Sequence, residues 1–130
     1  MTTRFTPLSE PINLGDLLKY EENCLFYSRD QVTVAAGQVL ELGAVVGRVS
    51  ATGKVKRLDP AATDGTESAA GILLGAYDTS LADRDDGLLL ARHGIVASHA
   101  VVWPAGITAE QQAAAVAALE ARGILIRQSA

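Results

Sequence analysis

The chain has 130 residues, enough for one domain that buries roughly two thirds of the surface its unfolded form would expose, so a core without disulfide or metal staples is expected. Hydrophobic residues make up 48% and aromatics only 5%, so that core is to be built from Ala, Val, Leu and Ile. The net charge of −4, with Lys and Arg scattered rather than gathered in a stripe, excludes the basic patch that nucleic-acid binding calls for.

The opening residues M-T-T-R-F-T-P-L-S-E-P contain no apolar run of the kind a secretory signal needs. No stretch of about 18 apolar residues spans a bilayer, so no membrane partner is expected. The expected place of use is a cytoplasm, unless the chain leaves as part of a larger particle. Residues 1–20 carry Pro7 and Pro11 with isolated Phe5, Leu8, Ile12 and Leu14, and sustain no helical or strand period. They read as an arm, with residues 21–130 as a single domain. Two readings of the arm stay open: a disordered tail, or a segment that orders against a partner as an added strand or clamp. Cys24, the one cysteine, excludes an internal disulfide and any multi-cysteine metal site, and reads as a small hydrophobe.

From Leu25 to Val34 the alternation predicts a strand, broken near Ser28-Arg29-Asp30, with Val32 and Val34 on one face. A turn at Ala35-Ala36-Gly37 follows. From Gln38 to Pro60, glycines at 43, 47 and 53 punctuate runs of three to five residues. Such spacing describes a ribbon that bends repeatedly, as in a β-clip or small barrel. Ser50–Lys54 reads as a hairpin loop returning into Val55–Leu58, and Asp59-Pro60 ends that strand because proline has no N–H for the ladder. The linker Ala61–Glu67 is expected to be exposed.

Asp64-Gly65 marks a tight turn. The apolar run Ala69–Ala76 lacks polar alternation and is too glycine-rich for a helix, so it predicts a strand covered on both faces, with the rest of the chain packed around it. Gly71 and Gly75 within it imply a close backbone approach or a sharp bend. Asp78–Gly87 reads as a flexible acidic loop. It fails as a calcium loop, since counting from Asp83 puts Gly87 one place before the required sixth position and Gly94 where the bidentate carboxylate belongs.

Leu88 to Trp103 predicts one long strand, or two joined at Gly94. His93 and His99 share a face only if that strand is unbroken, and no third metal ligand stands near them. Pro104-Ala105-Gly106 breaks the strand. Thr108-Ala109-Glu110-Gln111 matches a capping box, so a helix starts after Thr108 and runs to about Arg122, with Gly123 as its left-handed terminator. Ala113, Val116, Ala117 and Leu119 are its expected apolar face. Ile124-Leu125-Ile126 forms a last short strand. The fold class expected is mainly β, within α+β: a β-clip-like bent ribbon or small barrel with one C-terminal helix and a flexible N-terminal arm.

No catalytic constellation is found: no G-x-S-x-G elbow, no H-E-x-x-H and no phosphate-binding glycine loop with its lysine. The turn at Lys54 differs from the modified-lysine hairpin of biotinyl and lipoyl carriers. Catalytic, cofactor-binding and metal residues are therefore expected to be none, and the chain is not expected to be an enzyme.

Read together, the segment D-P-A-A-T-D-G-T-E-S-A-A-G-I-L-L from Asp59 to Leu74, the strand end Val101-Val102-Trp103-Pro104 and the Ala-rich helix closing on Gly123-Ile124 resemble the head decoration proteins of lambda-type tailed bacteriophages. Ser28–Gly47 is similar to the longer prophage-encoded members. The resemblance covers roughly Leu25 to Arg127. It implies a homotrimer that binds the major capsid protein on the outside of the expanded shell, at three-fold and quasi-three-fold positions, and holds it against the pressure of packaged DNA. It further implies a location on the virion exterior, with assembly in the host cytoplasm. In that family the N-terminal arm is mobile in the free protein and ordered on the shell, which makes Phe5, Leu8, Ile12 and Leu14 the expected capsid-binding residues. The ribbon before Asp59 is longer than in the shorter members. The alternative is another non-catalytic β-rich binding or adhesion module, for which exposed aromatics are few. A trimeric nucleotide hydrolase also uses a bent ribbon, but its substrate motif and phosphate tail are missing.

Overall fold

Short strands separated by glycine turns dominate the computed structural model, which describes residues 13–21 and 25–128. The elements are α1 (Leu14–Leu17), β1 (Leu18–Glu21), α2 (Leu25–Ser28), β2 (Arg29–Val34), β3 (Val39–Leu40), β4 (Val45–Arg48), β5 (Val55–Arg57), β6 (Gly71–Leu73), β7 (Tyr77–Asp78), β8 (Arg84–Leu90), β9 (Gly94–Ala97), a 3-10 turn (Ser98–Ala100), α3 (Ala109–Ala121) and β10 (Ile124–Arg127). Strands β2-β5-β4-β6-β8 close a barrel, β1-β9-β10 form a three-stranded sheet, and β3 pairs with β7. The mainly β, α+β class expected from sequence is the one observed, with α3 the single long helix beside two one-turn helices.

The run around Gly71 occupies the expected centre. Strand β6 pairs with β4 on one side and β8 on the other, and Gly71, Ile72 and Leu73 are all buried. A Cβ on Gly71 would stand 2.5 Å from the Leu90 carbonyl oxygen and 2.8 Å from Leu89 Cγ, so the close approach read from the glycine is real. Alternate side chains of a strand point to opposite faces, and here both faces are covered. Val46, Leu73 and Leu89 fill the barrel interior with Val34, Val55 and Tyr77, whereas Val45, Ile72 and Leu90 turn outward into a second core with Leu17, Val96, Leu119 and Ile124. That double use is why these stretches read as unbroken apolar runs.

Several expectations change. Within the span read as an arm, Asn13 caps α1 through a reciprocal box: Asp16 N–H donates to Asn13 Oδ1 and Asn13 N–H donates to Asp16 Oδ2, each at 3.0 Å. Leu17 is wholly buried and β1 runs antiparallel to β9. A single turn has too few residues to show a period, and β1 is defined by a partner far along the chain, so neither was visible in sequence. Phe5, Leu8 and Ile12 lie outside the described residues, as does Cys24. Leu14 is half-buried and packs on the second core.

Leu25–Ser28 is a helical turn, so the strand begins only at Arg29. The acidic stretch becomes strand at Arg84, where β8 extends along β2. The stretch from Leu88 to Trp103 is broken twice, at His93 and at the 3-10 turn, which separates the two histidines. Thr66, in the linker expected to be exposed, is buried, and its hydroxyl donates to Asp64 Oδ1 at 2.6 Å. The capping box of α3 and the left-handed Gly123 (φ +80°) are as expected. Of the expected face of α3, Leu119 is buried and Val116 half-buried, but Ala113 and Ala117 are exposed, and Ala115 with half-buried Ala118 completes the buried side. Alanine on every side leaves spacing without contrast, so only the bulk of Leu119 chooses the face.

Candidate functional site

Three places concentrate chemistry-bearing residues. Among the described residues no group of three or more His, Cys, Asp or Glu is placed to hold a metal ion. His99 is exposed, whereas His93 sits in a packed ring cluster. The loop aspartates are engaged locally: Lys54 pairs with Asp83 and Arg84 with Asp86. These contacts hold both carboxyls below their ordinary range, Lys54 being the main cause for Asp83 and Arg84 for Asp86.

The most developed surface is the outer face of the β1-β9-β10 sheet. Register places Tyr20 opposite Ile95, and Ile95 opposite Leu125, so the three form one row across the sheet. Val96 and Ile124 point the other way, into the second core. Beside the row the chain turns sharply. His93 is the one described non-glycine residue with positive φ (+55°), and its N–H donates to the Arg122 carbonyl at 3.2 Å. Gly123 faces it, and a Cβ there would stand 2.3 Å from His93 Cδ2, so the ring as well as the backbone demands glycine. The result is a shallow depression of about 200 Å³ lined by Tyr20, His93, Gly94, Ile95, Gly123 and Leu125.

Charged pairs fasten its border. The His93 ring stacks on Tyr27 with centroids 5.0 Å apart, and its buried Nδ1 has no hydrogen-bond partner among the described residues. Arg92 grips Asp30 through two contacts of 2.9 and 3.2 Å while its guanidinium lies over the Tyr27 ring. Glu21, at the end of β1, accepts from Arg29 Nε and Nη2 and from the Ser28 hydroxyl at 2.7 Å. The Arg29 hydrogen bonds outweigh burial and hold the Glu21 carboxyl below its ordinary value. With Glu21 and Asp30 paired, the described cations near the row that lack a carboxylate partner include Arg122, next to Gly123, and Arg127, two residues beyond Leu125 on the same strand face.

The third place is a projecting loop. Asp78 Oδ1 accepts from the Ser80 N–H and hydroxyl at 3.0 and 2.6 Å, and Asp83 Oδ1 accepts from Ala36 N–H at 2.7 Å. Between them Thr79 is buried and ties the loop to the Ala35–Gln38 turn, its hydroxyl donating to the Ala35 carbonyl at 2.6 Å and its N–H to the Gln38 carbonyl at 2.7 Å. At the apex of this braced loop Leu81 is 99% exposed. The sequence reading of a flexible acidic loop overlooked it, because Leu81 matters through the bracing around it.

Both features are open to solvent, and neither is an enclosed pocket for a small molecule. The family model for bacteriophage lambda head decoration protein D matches residues 7–124. The chain belongs to this family. It is accordingly a phage head decoration protein, a structural component of the virion capsid. No curated protein matches the chain. The family match takes in Leu8, Ile12 and Leu14 of the expected contact residues and leaves out Phe5. Helix α1, where the described residues begin, packs on β9 and the 3-10 turn.

Proposed function

We propose that this decoration protein is a homotrimer that binds the major capsid protein on the outside of the expanded head, at three-fold and quasi-three-fold positions, and stabilises the shell against packaged DNA. The observation that carries the reading is the family match across residues 7–124, which includes part of the N-terminal segment. The arm in this reading is the part before Asn13, since α1 (Leu14–Leu17) packs on β9 and β1 (Leu18–Glu21) pairs with it. Phe5, Leu8 and Ile12 supply apolar contacts to the capsid protein, while Leu14 anchors the root of the arm. The role is structural and not catalytic.

A rigid trimer has three identical feet at fixed separation. It engages all three only where lattice spacing matches, and multivalency then turns a weak single contact into a strong one. The test is co-sedimentation of the trimer with its cognate shells before and after expansion. Binding to the expanded shell alone is expected, and equal binding to both would overturn the lattice-matching account. Light scattering showing only monomer at micromolar concentration would overturn the trimer.

A further inference from the structure

We propose that the subunits join head to tail, with Leu81 of one copy seated in the depression on the β1-β9-β10 face of the next. This inference rests on the trimer reading and names its interface.

A leucine that is 99% exposed at the tip of a loop held by side-chain and backbone hydrogen bonds is costly to leave in water and cheap to bury, because the loop loses little freedom on docking. The depression is its counterpart: shallow, about 200 Å³ in volume, and mostly apolar, with Tyr20, Ile95 and Leu125 beside the His93 ring. Charge matches as well. Around Leu81 the four carboxylates Asp78, Asp83, Asp85 and Asp86 outnumber the two cations among them, Lys54 paired with Asp83 and Arg84 paired with Asp86, whereas Arg122, next to Gly123, and Arg127, beyond Leu125, have no ion-pair partners among the described residues. Within one chain the two never meet, since Leu81 touches almost nothing. The loop is braced against the barrel, and the depression lies over the other core. Two different complementary patches on one chain make a heterologous contact, which closes into a ring when the rotation permits. A three-fold ring uses every knob and every depression once.

The experiment uses the full chain with Cys24→Ser. Leu81→Cys combined with Leu125→Cys is oxidised and run on a non-reducing gel, because only Cα atoms within about 7 Å can be bridged. Covalent dimers and closed trimers are expected from the double variant and none from either single variant. In parallel, Leu81→Asp is examined by sedimentation velocity and circular dichroism. Its spectrum should match the parent, because the side chain makes no intramolecular packing, while each contact weakens about tenfold or more and the trimer dissociates. Arg127→Glu should weaken assembly, and Asp85→Lys added to it should restore assembly. A parent that is trimeric, with no cross-link and an intact Leu81→Asp trimer, overturns this interface and leaves the trimer standing. A monomeric parent overturns the trimer itself.

Discussion

Replacing Gly71 by Ala tests whether the central strand is held by close backbone approach. The added Cβ would lie 2.5 Å from the Leu90 carbonyl oxygen and 2.8 Å from Leu89 Cγ, distances that real Cβ atoms do not tolerate. The carbonyl is backbone of β8, pinned by pairing to both β6 and β2, so it cannot swing aside as a flexible side-chain tip would. Overpacking of this kind costs about 1–3 kcal/mol. For a domain of this size that is a fall in melting temperature of about 4–12 °C. Gly53→Ala supplies the contrast. Nothing lies within 4 Å of its Cβ position, and only the positive φ of +74° opposes the change, so the cost is about 1 kcal/mol. The assay is thermal unfolding followed by circular dichroism at one fixed protein concentration, since assembly would otherwise shift the midpoint. A Gly71→Ala protein melting with the parent, or above Gly53→Ala, would refute the reasoning.

Thr108→Ala removes the hydroxyl that accepts from Gln111 N–H at 3.1 Å, and should cost about 1 kcal/mol in urea unfolding, with the barrel retained. Glu21 has a folded-state pKa lowered chiefly by Arg29, so its stabilising contribution is fully present above its ordinary 4.5 and is lost as pH falls through the lower folded value. Glu21→Gln should therefore lower stability near neutrality by about 1 kcal/mol and flatten the acid limb; parallel curves for parent and variant in pH-dependent melts would count against it. Deleting residues 1–12 should leave the barrel folded and the number of subunits per assembly unchanged while co-sedimentation with expanded shells drops about tenfold or more; undiminished binding would move the contact into the folded domain.

Where a residue's neighbours in sequence decide its state, the chain could be read directly. The box Thr108–Gln111, the stop at Gly123 and the turns at Gly37 and Gly53 all depend on local backbone chemistry, and all stand where expected. Where distant pairing decides, reading failed. β1 exists because β9 lies beside it, and the polar start of β8 is a strand because β2 runs along it. The depression was unreadable for the same reason, as Tyr20, Ile95 and Leu125 come from three segments and meet only through register. His93 was visible as a histidine but not as the left-handed hinge that forces Gly123.

The alternation of β4, β6 and β8 between two cores bears on how a small, aromatic-poor chain can brace a shell. Val45 and Val46, Ile72 and Leu73, and Leu89 and Leu90 each send one side chain into the barrel and the next into the layer beneath α3 and the three-stranded sheet. Sliding the barrel against that layer would therefore disturb both cores at once, along strands whose backbones are already paired on both sides. Close packing makes such interiors resist deformation. A body of this kind keeps the loop bearing Leu81 and the depression bearing Leu125 at a fixed mutual angle, and a fixed angle is what lets a head-to-tail contact close on itself instead of continuing as a filament. In the proposed trimer the same rigidity would keep the roots of the arms at set distances, so that attachment strength is expected to depend on the lattice they meet and not on the reach of any one arm.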